Sequence, residues 1–319
     1  MGFPLAPLNN PDNIEYYARA GARELYMGFY DEEWERAFGE FAELNRMSGF
    51  GRSANTCSFQ ELLWAVQRAH AAGCSFYVTF NSSAYSAEME PWLSSYFAQL
   101  AWAGADGVIL SGPESIELAH EHGLKAVAST MCGIYNENTA RLYERWGADR
   151  LILPRDLALS ELRAITAACP NLEYEVFLMR NGCVFSDSHC LGMHGRGRGA
   201  LCGEMREAER CAVCAEQHRA QLEHTGELRR EVYHQYACGL CALWDLEQMG
   251  ELAYKVVGRG DTPGAIAEDL ELVAANIEVA QRCSSREEYL ERMLRHHYQR
   301  EVCPKGLNCY YPELYDGRC

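Results

Sequence analysis

Short apolar segments recur along this chain, and most of them follow an amphipathic segment that ends in a glycine. In one instance, Phe59 to Ala72 has the spacing of a helix, Gly73 follows it, and an apolar run begins at Ser75. Glycine accepts the left-handed backbone conformation that ends a helix. A short apolar run bounded in this way is typical of a buried parallel strand. The runs are Phe3–Ala6, Glu24–Met27, Ser75–Phe80, Gly107–Leu110, Lys125–Ala128, Arg150–Leu153, Tyr174–Leu178 and Leu252–Val257.

Eight strand–helix units predict an α/β fold, the (β/α)8 barrel of the TIM type. An open, doubly wound sheet is the alternative, but such a chain would carry a Gly-x-Gly-x-x-Gly turn after its first strand, and this one does not. We expect residues 1–282 to form the barrel, with a cysteine-rich insertion at residues 180–241 after the seventh strand. Residues 283–319 would form a C-terminal helical tail that contains cysteines.

The cysteine content is the most informative feature of the composition, because seven of the 15 cysteines lie between Cys183 and Cys241. The N-terminus lacks the basic and apolar regions of a signal peptide, and no apolar stretch is long enough to span a membrane, so we expect a cytoplasmic protein. In that compartment thiols stay reduced unless they hold a metal. Four of them suit either an iron–sulfur cluster or zinc, and their spacing leaves both open. These four are Cys183, Cys190, Cys202 and Cys241.

The remaining cysteines suggest a second site. Its four ligands would be Cys211, Cys214, Cys303 and Cys309, with Cys238 and Cys319 as alternates, and the tail would fold back over the barrel mouth. The alternative is that Cys211 and Cys214 are exposed thiols on a flexible insertion and that the tail is frayed. The isolated cysteines are expected to be small buried hydrophobic residues. They are Cys57, Cys74, Cys132, Cys169 and Cys283.

Polar side chains follow several predicted strands, at the end of a barrel where the chemistry is carried out. Asn81 and Arg155 follow two of the strands and Arg259 a third, while Arg52 and Asn55 precede a predicted helix. Three converging arginines would suit an anionic ligand. The net charge of −16 argues against a broad nucleic-acid-binding surface, because phosphate binding depends on clustered Lys and Arg.

Several sequence blocks resemble the collagenase-like peptidase family (peptidase family U-32), and the likeness extends from Leu5 to Gln281. The combination is specific, although no single block would be. The blocks are Ala6–Asn13, Gly21–Gly28, Arg52–Thr56, Tyr77–Asn81, Gly147–Arg155, Glu175–Phe177, Leu240–Leu243 and Lys255–Arg259.

The resemblance implies an iron–sulfur protein, since bacterial members hold a 4Fe-4S cluster with four cysteines. Those members hydroxylate tRNA, ribosomal RNA or, as heterodimers, ubiquinone precursors without molecular oxygen. By this likeness Cys183, Cys190, Cys202 and Cys241 hold one cluster, with zinc as the alternative metal. An RNA or small-molecule substrate, and a related chain as partner, follow as expectations. The pocket would be lined by Arg52, Asn55, Asn81, Arg155, Glu175 and Arg259.

This chain departs from the family pattern in two places that bear on the site. Many members have His-Gly where this chain has Met179 and Arg180, which removes a histidine that would suit acid–base work. The segment between Cys190 and Cys202 is shorter than in many relatives, which leaves Cys211 or Cys214 as rivals for the third ligand position.

Two other classes of function remain open from the sequence. A metal-dependent peptidase is one, although the chain lacks both a Gly-x-Ser-x-Gly elbow and a His-Glu-x-x-His zinc motif. A non-catalytic iron–sulfur subunit of a heterodimer is the other. In that case two predicted C-terminal helices, Ile266–Gln281 and Arg286–Arg300, would supply an interface or close the barrel.

Overall fold

Eight parallel strands close into a barrel in which each strand pairs with the next and the last pairs with the first. The computed structural model describes residues 1–82, 85–183, 186–189, 237–296 and 309–314. The strands are β1 (Phe3–Leu8), β2 (Glu24–Gly28), β3 (Ser75–Phe80), β4 (Gly107–Leu110), β5 (Lys125–Ala128), β6 (Arg150–Ile152), β7 (Glu173–Met179) and β8 (Leu252–Val256). Each predicted run coincides with one of them, which confirms the (β/α)8 prediction.

The helices surround the barrel. They are α1 (Ile14–Arg19), α2 (Glu32–Phe38), α3 (Phe59–Ala71), α4 (Glu90–Ala103), α5 (Pro113–Glu121), α6 (Glu137–Arg145), α7 (Leu159–Ala168), α8 (Leu243–Glu247), α9 (Pro263–Arg282) and α10 (Arg286–Arg292). No helix within the described ranges is both long and apolar enough to cross a membrane. Helices α2 and α7 were not predicted. The prediction of one helix from Arg286 to Arg300 is wrong at residues 293–296, because Met293 has an extended backbone with ψ of 144°; residues 297–300 lie outside the described residues.

The glycines that were expected to end helices do so. Gly104 closes α4 in the left-handed conformation, and its N–H bonds back to the last turn of the helix. All six of the predicted helix-ending glycines have φ between 73° and 109°, namely Gly21, Gly73, Gly104, Gly123, Gly147 and Gly250. Each sends the chain directly into the next strand.

Charged side chains fill the barrel interior at successive levels, because alternate residues of a strand point to the same side of the sheet. Nearest the N-terminal ends of the strands, Arg150 donates to both carboxylate oxygens of Glu24, at 2.5 and 2.9 Å. Halfway up, Lys255 Nζ lies 2.6 Å from Glu175 Oε1. At the C-terminal ends, the guanidinium of Arg259 is buried. Breaking a buried ion pair is costly, so these pairs fix how the strands face one another.

The end of β7 is covered by two later segments of the chain. Cys238 forms an antiparallel bridge with Met179 and a parallel bridge with Cys309. Tyr310 N–H donates to the carbonyl of Cys238 at 3.0 Å, and Tyr311 belongs to the same hydrophobic core as the barrel. The described part of the tail therefore folds back onto the barrel beside its C-terminal mouth, which is one of the two alternatives that the sequence left open.

Candidate functional site

Six charged side chains gather between the middle of the barrel and its C-terminal mouth, and we call them the mouth cluster. Four are cations and two are carboxylates, and all six are at most 10% exposed. They are Arg46, Arg155, Lys255, Arg259, Glu175 and Asp187. The cluster has an excess of positive charge, in a chain whose net charge is −16.

Asp187 joins two of these cations. Arg155 Nε donates to Asp187 Oδ2 at 2.8 Å, and Arg46 Nη1 lies 2.6 Å from Oδ1. Thr130 Oγ1 donates to the same carboxylate at 3.1 Å. Burial alone would raise the pKa of Asp187, but the two guanidinium groups hold that pKa well below its ordinary value. Asp187 is therefore a permanent anion that fixes both arginines.

Lys255 and Glu175 form the second pair, on neighbouring strands. The Lys255 ammonium also lies 3.6 Å from the centre of the Tyr26 ring, a distance at which the ring face attracts a cation. Burial lowers the pKa of Lys255, against the opposing effect of Glu175, which raises it. The second carboxylate oxygen of Glu175, Oε2, is buried and has no hydrogen-bond partner within the described part of the chain.

Arg259 differs from the other three cations because no carboxylate of the described residues pairs with it. Its Nη1 donates to Asn55 Oδ1 at 3.2 Å and to Thr79 Oγ1 at 3.1 Å, while Nη2 donates to Asn45 Oδ1 at 3.2 Å. All three acceptors are uncharged. Burial lowers the pKa of Arg259 to about 10, so the side chain remains a cation at neutral pH.

Most of the predicted pocket residues lie at this mouth. Asn81 holds the loop that carries Arg46, since its Oδ1 accepts from Arg46 N–H at 3.1 Å. Arg52 lies on the same loop as Arg46 and Asn55, but its side chain is exposed and lies beside the thiol of Cys57, outside the buried cluster. The predicted residues at the mouth are Asn55, Asn81, Arg155, Glu175 and Arg259.

Sequence reasoning missed several members of the site. Asn45, Arg46 and Asp187 lie on irregular segments with no periodic pattern, so no local signal marked them. Lys255 did carry a signal, because a lysine inside the apolar run Leu252–Val257 has to be buried and therefore needs a partner.

Four cysteines lie where β7 and the tail meet: Cys183, Cys238, Cys241 and Cys309. Burial is the main cause that raises the pKa of the Tyr310 hydroxyl, and the thiols of Cys183 and Cys238 raise it further. Burial likewise raises the pKa of Tyr311, with smaller contributions from Cys309 and Cys241. The four thiols thus surround adjacent buried tyrosines at one side of the mouth.

This donor set fits the group that the sequence predicts, since thiolates are the preferred ligands of iron–sulfur clusters and of structural zinc. The described residues alone contain no group of three His, Cys, Asp or Glu side chains placed to hold a metal ion. Six of the cysteines named as ligands or alternates lie outside the described residues. These are Cys190, Cys202, Cys211, Cys214, Cys303 and Cys319. Both the cluster and the second site remain predictions.

A cavity of about 330 Å³ lies beside the mouth cluster and is partly open to solvent. Arg155 of that cluster contributes to its wall, together with Cys183, Cys309 and Tyr310. The cavity is large enough for a small molecule or one nucleobase, and one cation and two cysteines line it.

The isolated cysteines lie elsewhere in the fold. Cys74 and Cys169 are buried as expected, whereas Cys57, Cys132 and Cys283 are only half-buried.

Comparison with known proteins gives a family and a set of relatives. A sequence model described as peptidase family U32 matches residues 9–314. The chain is 28% identical over 139 residues to tRNA hydroxylation protein P of Escherichia coli (strain K12), which covers 43% of this chain and 30% of that protein. It is 27% identical over 205 residues to an uncharacterized protease of Methanocaldococcus jannaschii, which covers 63% of this chain and 46% of that protein.

A third relative and a solved structure complete the comparison. The chain is 29% identical over 162 residues to 23S rRNA 5-hydroxycytidine C2501 synthase of Escherichia coli (strain K12), which covers 50% of this chain and 24% of that protein. It spans less than half the length of these curated relatives. The structure of the U32 peptidase Mk0906 superposes with a TM-score of 0.50 at 15% identity, over 81% of this chain and 94% of that one. At this identity the likeness concerns the fold alone.

Proposed function

The chain belongs to peptidase family U32, and from that membership we propose that it is an iron–sulfur enzyme that hydroxylates an RNA base, or a smaller substrate, without molecular oxygen. Relatives named for tRNA hydroxylation and for 5-hydroxycytidine synthesis support the reaction class. The observation that carries the proposal is the meeting of thiols and buried cations at one end of the barrel. A barrel performs its chemistry at that end.

The proposed cluster ligands are Cys183, Cys190, Cys202 and Cys241, as the sequence spacing suggests. Held by all four thiolates, such a cluster would supply electron transfer; only if one thiolate were absent would an iron be open to act as a Lewis acid. With water as the source of oxygen, replacing C–H by C–OH on the substrate releases two electrons and two protons, and the cluster would pass the electrons one at a time to an external electron acceptor. The cavity lined by Cys183 and Arg155 is the space that we propose for this substrate.

The residues of the mouth cluster would bind and orient the substrate. Asp187 holds Arg46 and Arg155 at the rim, so both guanidinium groups are in place before a substrate arrives. Lys255 Nζ and the open oxygen of Glu175 are the groups that could hold a proton beneath the substrate. The aromatic face of Phe177 lies 4.1 Å from the Arg155 guanidinium and keeps water from that side.

A peptidase mechanism receives less support from the same residues. His189 is the histidine nearest to the mouth cluster in sequence, and it is exposed. Its Nδ1 lies 3.4 Å from Ser188 Oγ, but the adjacent carboxylate, Asp187, is already held by two arginines and is not available to orient the imidazole.

Nucleoside analysis of RNA tests the proposed reaction. Total tRNA and ribosomal RNA from cells that lack this chain would be digested and compared by mass spectrometry with RNA from complemented cells. We expect one nucleoside to lose the mass of one oxygen atom when the chain is absent. Cys183→Ala should fail to restore the modification, because it removes a proposed cluster ligand.

The matched control is Cys74→Ala, which removes a buried thiol that bonds to the Ala22 carbonyl at the opposite end of the barrel. It should restore the modification fully. If RNA from the two strains proves identical, an RNA substrate is excluded, and the search moves to small molecules. If the Cys183 variant restores the modification, the cluster assignment is wrong.

Co-purification and size-exclusion chromatography of the complemented chain test a second point, which is whether it associates with a related protein, as the family resemblance suggests.

A further inference from the structure

The guanidinium of Arg259 is charged and 6% exposed, and it lacks a counter-ion among the described residues. Burying a charge without a partner of opposite sign is unfavourable, and natural proteins seldom do so without a functional reason. The other three cations of the mouth cluster each contact Asp187 or Glu175. Arg259 is therefore the one cation of that cluster whose charge is not neutralised by a described carboxylate and is available to a bound anion.

The neighbours of Arg259 fix its orientation. Two donors of Nη1 and one donor of Nη2 are used by Asn55, Thr79 and Asn45. A guanidinium carries five N–H donors, so one on Nε and one on Nη2 have no acceptor among the described residues. These two nitrogens form one edge of the planar group, and an edge of this kind binds a carboxylate or a phosphate through two parallel hydrogen bonds.

The surroundings are built to hold this group. Gly28 ends β2 beneath it, and a Cβ atom at Gly28 would overlap Arg259 Nη1 and Asn55 Oδ1. Asn55 is itself fixed, because its Nδ2 donates to the carbonyls of Met47 and Gly51, both at 2.9 Å. The guanidinium thus occupies space that any side chain at position 28 would take.

The local charge favours an anion as well. Arg259 and Arg155 both lower the pKa of Lys255, in addition to the larger effect of burial, so the three cations lie close enough to repel one another. Glu175 and Asp187 neutralise only part of this charge. A bound anion would offset the remainder in a region that is largely shielded from solvent.

We propose that the open edge of Arg259, formed by Nε and Nη2, is a binding subsite for an oxoanion, namely a carboxylate or phosphate group on the substrate or co-substrate of this barrel. The assignment to a substrate rests on the function proposed above. The binding of the anion does not, because it depends only on Arg259 and the residues that hold it.

Anion titration of the full chain, purified without oxygen, tests the subsite. Inorganic phosphate and malonate serve as the two probes, and sodium chloride at equal ionic strength controls for screening. We expect a saturable rise in melting temperature with at least one probe, and the stronger probe identifies the source as phosphate or carboxylate. In Arg259→Gln the affinity should fall about tenfold or more, because a charge-assisted pair of hydrogen bonds is lost.

Arg282→Gln is the matched control. It removes an exposed arginine of α9 that pairs with Glu278 at 2.9 Å, and it should bind the probes as the unaltered chain does. Phosphate stabilises many proteins by exclusion from their surface, and that effect would be the same in both variants. Equal responses of Arg259→Gln and Arg282→Gln to both probes would overturn the proposal.

If Arg259→Gln fails to fold, a soaked crystal of the unaltered chain tests whether an oxoanion binds at Arg259. Crystals of the unaltered chain in selenate should show an anomalous peak within hydrogen-bonding distance of Arg259 Nε and Nη2. Peaks confined to surface sites would overturn the proposal. If RNA from cells with and without this chain proves identical while the anion still binds at Arg259, only the proposed function is refuted.

Discussion

Asp187 is the residue on which the arrangement of the mouth depends most directly. Its carboxylate accepts from Arg155 and is paired with Arg46, and neither arginine would keep its position if that charge were removed. Breaking a buried ion pair by removal of one partner costs about 3–5 kcal/mol, because the other charges stay buried.

We predict that Asp187→Asn lowers the free energy of unfolding by about 3–5 kcal/mol at neutral pH. The pKa of Asp187 is held below its ordinary value of 3.8, so the stabilisation is fully present above that pH and is lost as the pH falls toward the lowered value. Denaturant unfolding at several pH values should therefore show a constant difference above about pH 5 that shrinks below about pH 4.

Asp12→Asn is the control for this measurement. Its side chain is 75% exposed and pairs with Arg68 at 3.0 Å, so the substitution should cost no more than about 1 kcal/mol. A cost for Asp187→Asn as small as for Asp12→Asn would contradict the role given to Asp187.

Arg180 shows at the same scale how the end of β7 is held in place. Its φ is 66°, a left-handed conformation that glycine adopts most easily. The side chain of Arg180 pairs with the buried carboxylate of Asp269 and donates to the carbonyl of Ala265 at 3.2 Å. These contacts offset the backbone strain and tie the end of β7 to α9.

The end of β2 and the loop from Asn45 to Asn55 act together as one element of the site. Asn45 Nδ2 donates to the carbonyl of Phe29 at 2.7 Å, so the loop is held against the strand end. The space above Gly28 is filled by Arg259 and Asn55. A larger residue at position 28 would therefore displace the guanidinium and leave the rest of the barrel in place.

We predict that Gly28→Ala lowers the free energy of unfolding by about 1–3 kcal/mol, as overpacking of a buried site usually does. It should also weaken anion binding as much as Arg259→Gln does, while the circular dichroism spectrum stays unchanged. Gly264→Ala in α9 is the control, because a Cβ atom there meets nothing within 4 Å. That variant should be as stable as the unaltered chain or slightly more so. Unchanged anion binding in Gly28→Ala would show that the guanidinium does not depend on this glycine.

Strand ends could be predicted from the sequence, whereas the loops between them could not. Eight apolar runs of the same direction place their C-terminal ends at one rim, so Asn81, Arg155 and Arg259 were expected to converge there. Asp187 and Arg46 come from irregular segments, where neither helix nor strand periodicity constrains the path. Arg52 was predicted to line the pocket, and it lies on the 3-10 turn Ser48–Ser53 with an exposed side chain, outside the buried mouth cluster.

The whole molecule combines an acidic surface with a positively charged mouth. Its net charge of −16 disfavours binding of a polyanion such as RNA over a broad surface, whereas the mouth cluster carries two more cations than carboxylates. The tail closes one side of this mouth, where Tyr310 and Tyr311 are 5% and 3% exposed and Cys309 joins the other thiols.

Metal and sulfide analysis of the full chain, purified without oxygen, tests the central claim most directly. The account predicts about four irons and four acid-labile sulfides per chain, with visible absorbance that Cys183→Ala abolishes and Cys74→Ala retains. About eight irons would indicate a second cluster that uses Cys309 and the other additional cysteines. Zinc without sulfide, or an absorbance unchanged in Cys183→Ala, would contradict the account.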